Sequence, residues 1–165
     1  SAIPERSATT DMIHDVAERA AREGASFFLL GGEESVNAAC AARLEALYPG
    51  LRIVGRQHGY YRPEDEDAVV AAINASGADI VWVGLGKPNE QIVAHGLRDR
   101  LTCRWLITCG GCFNFVAGNY ARAPRLMQDI GLEWLYRLIR SPRQLLWRYL
   151  TTNPVALFWI VSRSR

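Results

Sequence analysis

The residues with most chemistry in reach are the glycines that follow short apolar runs. Gly31-Gly32, the stretch from Gly55 to Tyr61, Gly84-Leu85-Gly86-Lys87-Pro88 and the stretch from Cys109 to Gly118 each close such a run. Glycine lets a backbone amide come close to a ligand, and the helix N-termini that follow favour phosphate. The pattern points to a nucleotide-type anion. It is not specific, because neither G-x-G-x-x-G nor G-x-x-x-x-G-K-[ST] occurs, and tight turns in an α/β domain use glycine in the same way.

Cys109-x-x-Cys112 has the spacing of half a zinc site or of a redox pair. Zinc needs two further ligands, whereas Cys40 falls in a helical stretch and His14, His58 and His95 are scattered. A redox pair normally opens a helix, and this one reads as a glycine turn after a strand. The sequence therefore predicts small residues beside a pocket, with no metal and no cofactor. The histidines show no Ser-His-Asp or metal spacing.

A third group lies in the tail. Residues 119–165 hold eight arginines against Asp129 and Glu133, a net charge of +6, which leaves −4 on residues 1–118. Trp134, Tyr136, Trp147, Tyr149, Phe158 and Trp159 interleave with Arg137, Arg140, Arg143, Arg148 and Arg163. Arginine forks suit phosphates, and aromatic rings settle at membrane interfaces. Docking of the tail on the body, with the arginines solvated, explains the same pattern. Nucleic acid is disfavoured: no reader motif is present and the body is acidic.

These groups need elements to carry them. The 165 residues suffice for one core. From residue 9 to 108 the chain reads as alternating helix and strand. Met12, Val16 and Ala20 mark the first helix face, which ends at Gly24, and Ser26–Leu30 the first strand. Val36, Cys40, Leu44 and Leu47 mark the second helix, and Leu51–Val54 the second strand. Pro63 opens a third helix with Val69, Val70 and Ile73 inward. Asp79–Val83 is the third strand, Ile92, Val93, Leu97 and Leu101 line a fourth helix, and Arg104–Thr108 is the fourth strand. Such alternation predicts an α/β fold, a Rossmann-like parallel sheet with flanking helices. Beyond it lies a C-terminal all-helical appendage, with helices near 124–130, 132–140, 142–151 and 154–163, several opened by proline. The expected division is 1–118 and 119–165. The apolar run Val155–Val161 is too short to span a bilayer, which takes about 20 residues, and no signal peptide is visible at the N-terminus.

The segment from Gly110 to Leu138 then carries a resemblance. It reads Gly110-Gly111-Cys112-Phe113-Asn114-Phe115, Ala117-Gly118, Arg122-Ala123-Pro124 and Gly131-Leu132-Glu133-Trp134-Leu135-Tyr136-Arg137-Leu138. This closely resembles the signature of the WecG/TagA/CpsF glycosyltransferases. Phe28–Gly32, Tyr48–Gly50, His58–Tyr60, Gly84–Pro88, Arg148-Tyr149 and Asn153-Pro154 extend the match over nearly the whole chain.

The resemblance implies a metal-independent, inverting transferase that moves N-acetylmannosamine, its uronic acid or a similar hexose. The donor would be a UDP-sugar and the acceptor a polyprenyl-diphosphate-linked sugar. The setting it implies is cytoplasmic, peripheral on the inner face of the bacterial plasma membrane and its anionic surface. A homo-oligomer is compatible with the sequence. The implied donor-binding residues are Arg6, Gly31, Gly32, Tyr60, Gly84, Gly86, Pro88, Glu90, Gln91, Gly110, Gly111, Phe113 and Asn114. Arg137, Arg140, Arg143 and Arg148 would hold the acceptor diphosphate.

Three positions depart from the family pattern: Glu90 replaces a usual glutamine, Gln91 a glutamate and Asn114 an aspartate. The resemblance places the general-base aspartate in a segment upstream of Ser1, so no catalytic residue is assigned. A truncated, non-catalytic nucleotide or lipid-diphosphate binding protein is the alternative reading. A flavodoxin-like or dehydrogenase domain would require a phosphate fingerprint that is absent.

Overall fold

The computed structural model describes residues 9–120, 123–124, 126–127, 132–140 and 142–163. They form two compact units, 1–120 and 121–165. In the first, α1 (Thr9–Glu23), β1 (Ser26–Gly31), α2 (Glu34–Leu47) and β2 (Arg52–Gln57) are followed by a 3-10 turn at Pro63–Asp65. Then come α3 (Glu66–Ser76), β3 (Ile80–Gly84), α4 (Asn89–Leu97), β4 (Trp105–Thr108) and α5 (Cys112–Val116).

The four strands are all parallel, in the order β2-β1-β3-β4. The chain therefore moves outward from β1 to β2, then returns to the other side of β1. Such a switch point opens a crevice at the carboxyl ends of the strands.

The two central strands are buried on both faces, and alternate side chains feed separate cores. Phe27, Leu29, Ile80 and Trp82 point toward α1, α2 and α5, where Ile13, Ala17, Cys40, Leu44 and Phe113 meet them. Phe28, Leu30, Val81 and Val83 point the other way, against Val69, Val70 and Ile73 of α3 and Leu97 of α4. This is the Rossmann-like sheet with flanking helices that the alternation predicts.

The opposite, amino end of the sheet is tied by Asp79. Its Oδ2 accepts the amide and the hydroxyl of Ser26, both at 3.0 Å, and its Oδ1 lies 3.4 Å from Arg104 Nε. These hydrogen bonds from Ser26 come first in holding the Asp79 carboxyl below its ordinary value; Arg104 and Arg52 add to them, and burial opposes them.

Several details differ from the periodicity reading. The innermost face of α1 is Ile13, Ala17 and Ala20; Met12 and Val16 pack at its margin. Leu47 and Ile92 are exposed, because each lies at the edge of a stripe whose centre is set by the sheet beneath. The second strand runs to Gln57 and not to Val54. Residues 112–116 form a helix rather than only a glycine turn, because Phe113 and Val116, three apart, both reach the core.

In the second unit, α6 spans Glu133–Arg140 and α7 spans Pro142–Arg163. The sequence places a break at Pro154, yet α7 passes through it. A proline removes one backbone donor and crowds the carbonyl four residues earlier; residues 150–156 around it are exposed, so solvent reaches the freed carbonyl. The helix expected near 124–130 falls largely outside the described residues. No helix among the described residues is long and apolar enough to cross a membrane.

Candidate functional site

The carboxyl end of β1 lies so close to that of β3 that Gly31 cannot carry a side chain. A Cβ on Gly31 would fall 2.9 Å from Gly84 Cα and nearer still to its carbonyl, and Gly31 has φ +131°. Only glycine meets both demands. Gly32 donates its amide to Gly84 O at 3.0 Å, and Gly59 donates to Gly32 O at 2.8 Å. The glycines thus knit three strand ends together, and the amides of Gly32 and Gly59 are engaged inside the protein. Phe113 wedges beneath, its ring 3.6 Å from where a Gly32 Cβ would sit and 3.1 Å from a Gly84 Cβ.

Over this knot opens a cavity of about 800 Å³, the size of an ordinary small-ligand site. Of the residues singled out from sequence, Gly32, Tyr60, Gly84, Gly86, Gly110, Gly111 and Asn114 line it. Gly31 and Phe113 support it from behind. Pro88, Glu90 and Gln91 are not in its wall; the exposed Asn89 is. Arg6 lies outside the described residues. Arg137 and Arg140 belong to α6, and Arg143 and Arg148 to α7; their side chains lie outside the description.

The wall also holds Tyr61, from the stretch singled out after the second strand, and residues that the sequence reading did not assign to the site. Tyr61 and Tyr120 join Tyr60, and Asn89 and Asn119 join Asn114. Asn119 Nδ2 donates to Asn114 Oδ1 at 3.4 Å, and Tyr120 packs edge-on against Phe115 with ring centres 5.4 Å apart. Glu33 and Glu66 supply carboxylates; Arg100 binds Glu66 at 2.6 Å. Among the described residues, no lysine or arginine lines the cavity. The position of Glu33, straight after Gly31-Gly32, was a usable signal. Glu66 and Tyr120 had none, because separate elements bring them in.

Asn37 braces this end from inside the protein. Fully buried on α2, its Nδ2 faces Leu29 O at 3.1 Å, Gly31 O at 2.7 Å and Gln57 O at 3.1 Å. It thereby ties the ends of β1 and β2. Glu90, at the start of α4, is also buried and accepts the Gly110 amide through Oε2 at 2.6 Å.

Cys40, read onto the inner stripe of its helix, is buried there, and Cys109 and Cys112, read as small residues beside a pocket, flank the cavity-lining Gly110 and Gly111. Cys40, Cys109 and Cys112 are buried in one core cluster, and the Cys112 thiol reaches Thr9 O at 3.6 Å. The hydrogen bond with Cys112, then burial, pushes the Cys109 thiol far up, and burial pushes Cys40 up to about 12. Thiols so held are poor nucleophiles. Among the described residues, no three of His, Cys, Asp and Glu are grouped to hold a metal.

A parallel sheet clad on both faces, with a polar, aromatic crevice at its switch point, defines a Rossmann-like α/β fold. Comparison with known families matches the glycosyl transferase WecG/TagA/CpsF family over residues 1–165, the whole chain, and the protein belongs to that family. The activity of its class is the transfer of a sugar from a donor to an acceptor in cell-surface polysaccharide synthesis.

Proposed function

We propose that the cavity takes a UDP-sugar and that the protein transfers its hexose, N-acetylmannosamine, its uronic acid or a similar sugar, to a polyprenyl-diphosphate-linked acceptor. The observation that carries this reading is the crevice itself: about 800 Å³ at the switch point, walled by glycine backbone, three tyrosines and three asparagines. Tyrosine rings offer faces for a base or a sugar, and carboxamides both donate to and accept from ribose, uracil and sugar hydroxyls. Asn114, where the resemblance leads one to expect aspartate, adds no further negative charge toward a diphosphate.

Transfer with inversion requires a base for the acceptor hydroxyl, and no metal takes part in this reading. Residues 121–165 serve as the acceptor- and membrane-facing part, at the inner face of the plasma membrane. Arg137, Arg140, Arg143 and Arg148 hold the diphosphate there. Exposed Trp147, Leu150, Val155, Phe158 and Val161 on α7 support an interfacial role.

The test is thermal. UDP should raise the melting temperature by mass action, by an amount that grows with concentration. No shift at millimolar UDP in a folded sample would sink the donor reading. Incubation with labelled UDP-sugar and membrane extract separates a transferase from a protein that only binds.

A further inference from the structure

Glu90 is the one charged side chain buried among the described residues, 1% exposed. A buried carboxylate is costly unless donors surround it. No arginine, lysine or histidine among the described residues pairs with it. Its donors are the Gly110 amide, 2.6 Å from Oε2, and Gln91 Nε2, 3.4 Å from Oε1. The first is short and charge-assisted, the stronger kind.

Gly110 needs that partner. On either side of it the loop is anchored by backbone bonds, Cys109 N to Val83 O at 2.8 Å and Cys112 N to Cys109 O at 3.1 Å, and by the Cys112 thiol on Thr9 O at 3.6 Å. Gly110 itself, at φ +57°, turns between them and gives its amide to Glu90. A Cβ on Gly110 would lie 3.8 and 3.9 Å from the two carboxylate oxygens, so the carboxylate packs directly against this residue. Gly110 and Gly111 line the cavity, and Glu90 does not.

We propose that Glu90 is a positioning residue: from behind the wall it fixes the Gly110–Gly111 backbone in the geometry that receives the occupant of the cavity. Gln91, next in the chain, supplies the second donor that a buried Glu90 requires. The occupant is UDP on the reading above, and the proposal rests on that reading only for the binding arm of its test.

Three variants separate reach from charge. Glu90→Gln keeps the reach and an acceptor oxygen, Glu90→Asp keeps the charge and loses reach, and Glu90→Ala loses both. UDP affinity should stay within about threefold of wild type in Glu90→Gln and fall about tenfold or more in Glu90→Asp and Glu90→Ala, the worth of one hydrogen bond to a charged group. Without ligand, exchange of the Gly110 amide proton, followed by NMR, should quicken about tenfold in the Asp and Ala variants and little in Gln, while β3 amides keep their protection. If Glu90→Ala fails to fold, the Asp and Gln pair carries the test.

Unchanged UDP affinity and Gly110 exchange in Glu90→Asp would overturn the proposal. So would a Gln variant as weak as Asp with Gly110 still protected, since the carboxylate would then touch the ligand. A wild type that ignores UDP, with Gly110 exchange quickened in Asp and Ala but not in Gln, would remove the donor reading and uphold the positioning role.

Discussion

Replacing Asn37 with aspartate tests how the strand ends are held. The wild-type amide turns two protons toward three carbonyl oxygens, those of Leu29, Gly31 and Gln57, at 2.7 to 3.1 Å. Aspartate has nearly the same shape and, when ionised, no proton to offer. Two hydrogen bonds disappear, at about 1 kcal/mol each, and a buried charge then faces carbonyl dipoles. A total loss of about 4 kcal/mol at neutral pH follows. Asn37→Leu removes the bonds without adding charge and should cost about 2 kcal/mol.

The difference between the two variants should depend on pH. Burial against carbonyls raises the folded-state pKa of an aspartate at position 37 above its unfolded value. The deficit of Asn37→Asp is then largest above that folded value and shrinks as pH falls toward the ordinary carboxylate range, where the neutral acid donates one bond. Urea unfolding of the three proteins at pH 7 and pH 5 measures this. An aspartate variant within 0.5 kcal/mol (about the scatter of surface substitutions) of wild type at pH 7 would refute the bracing role.

Three further outcomes follow from the same geometry. Gly31→Ala should lose about 3 kcal/mol or more through backbone overlap with Gly84, whereas Gly96→Ala, in open space on α4, should be neutral or gain up to about 1 kcal/mol; thermal melts of both decide. Ser26→Ala should cost about 1 kcal/mol at neutral pH. Because the Asp79 carboxyl is held below its ordinary value, that stability is present above the unfolded pKa and lost as pH falls through the folded one, so wild type and variant should converge in acid unfolding curves. Of the four thiols, partly exposed Cys103 should react first with a thiol reagent at neutral pH, and Cys40, Cys109 and Cys112 only on unfolding; fast labelling of Cys109 would contradict the buried cluster.

The strands and their order of appearance were legible in the sequence because a doubly covered strand has a simple signature. Phe27–Leu30 and Ile80–Val83 are unbroken apolar runs closed by glycine, and the intervening helices are long enough only for parallel crossovers. Glycine at 31, 32, 84, 110 and 111 marked where the crevice opens. The sequence did not say that Gly31 serves a close approach of two strands, or that the amides of Gly32, Gly59 and Gly110 are engaged within the protein. Helix faces were read to within a residue or two. Leu47 and Ile92 were misplaced because periodicity finds a stripe and only the sheet decides which edge of it is covered. Pro154 was read as a boundary because local rules weigh a single lost bond more heavily than a helix of 22 residues does.

The sequence by itself determined the class of protein: the αβ alternation, the glycine turns and a motif long enough to mark a family. Tertiary structure decided what the site is made of. Glu66 from α3, Asn89 from α4 and Tyr120 from beyond α5 share one cavity with Gly32 only because parallel crossovers carry distant segments to the same end of the sheet. The same packing turned Glu90 inward against Gly110 and sealed three cysteines in the core. Side-chain type sets what a residue can do; burial and neighbours, contributed by segments far apart in the chain, set what it does.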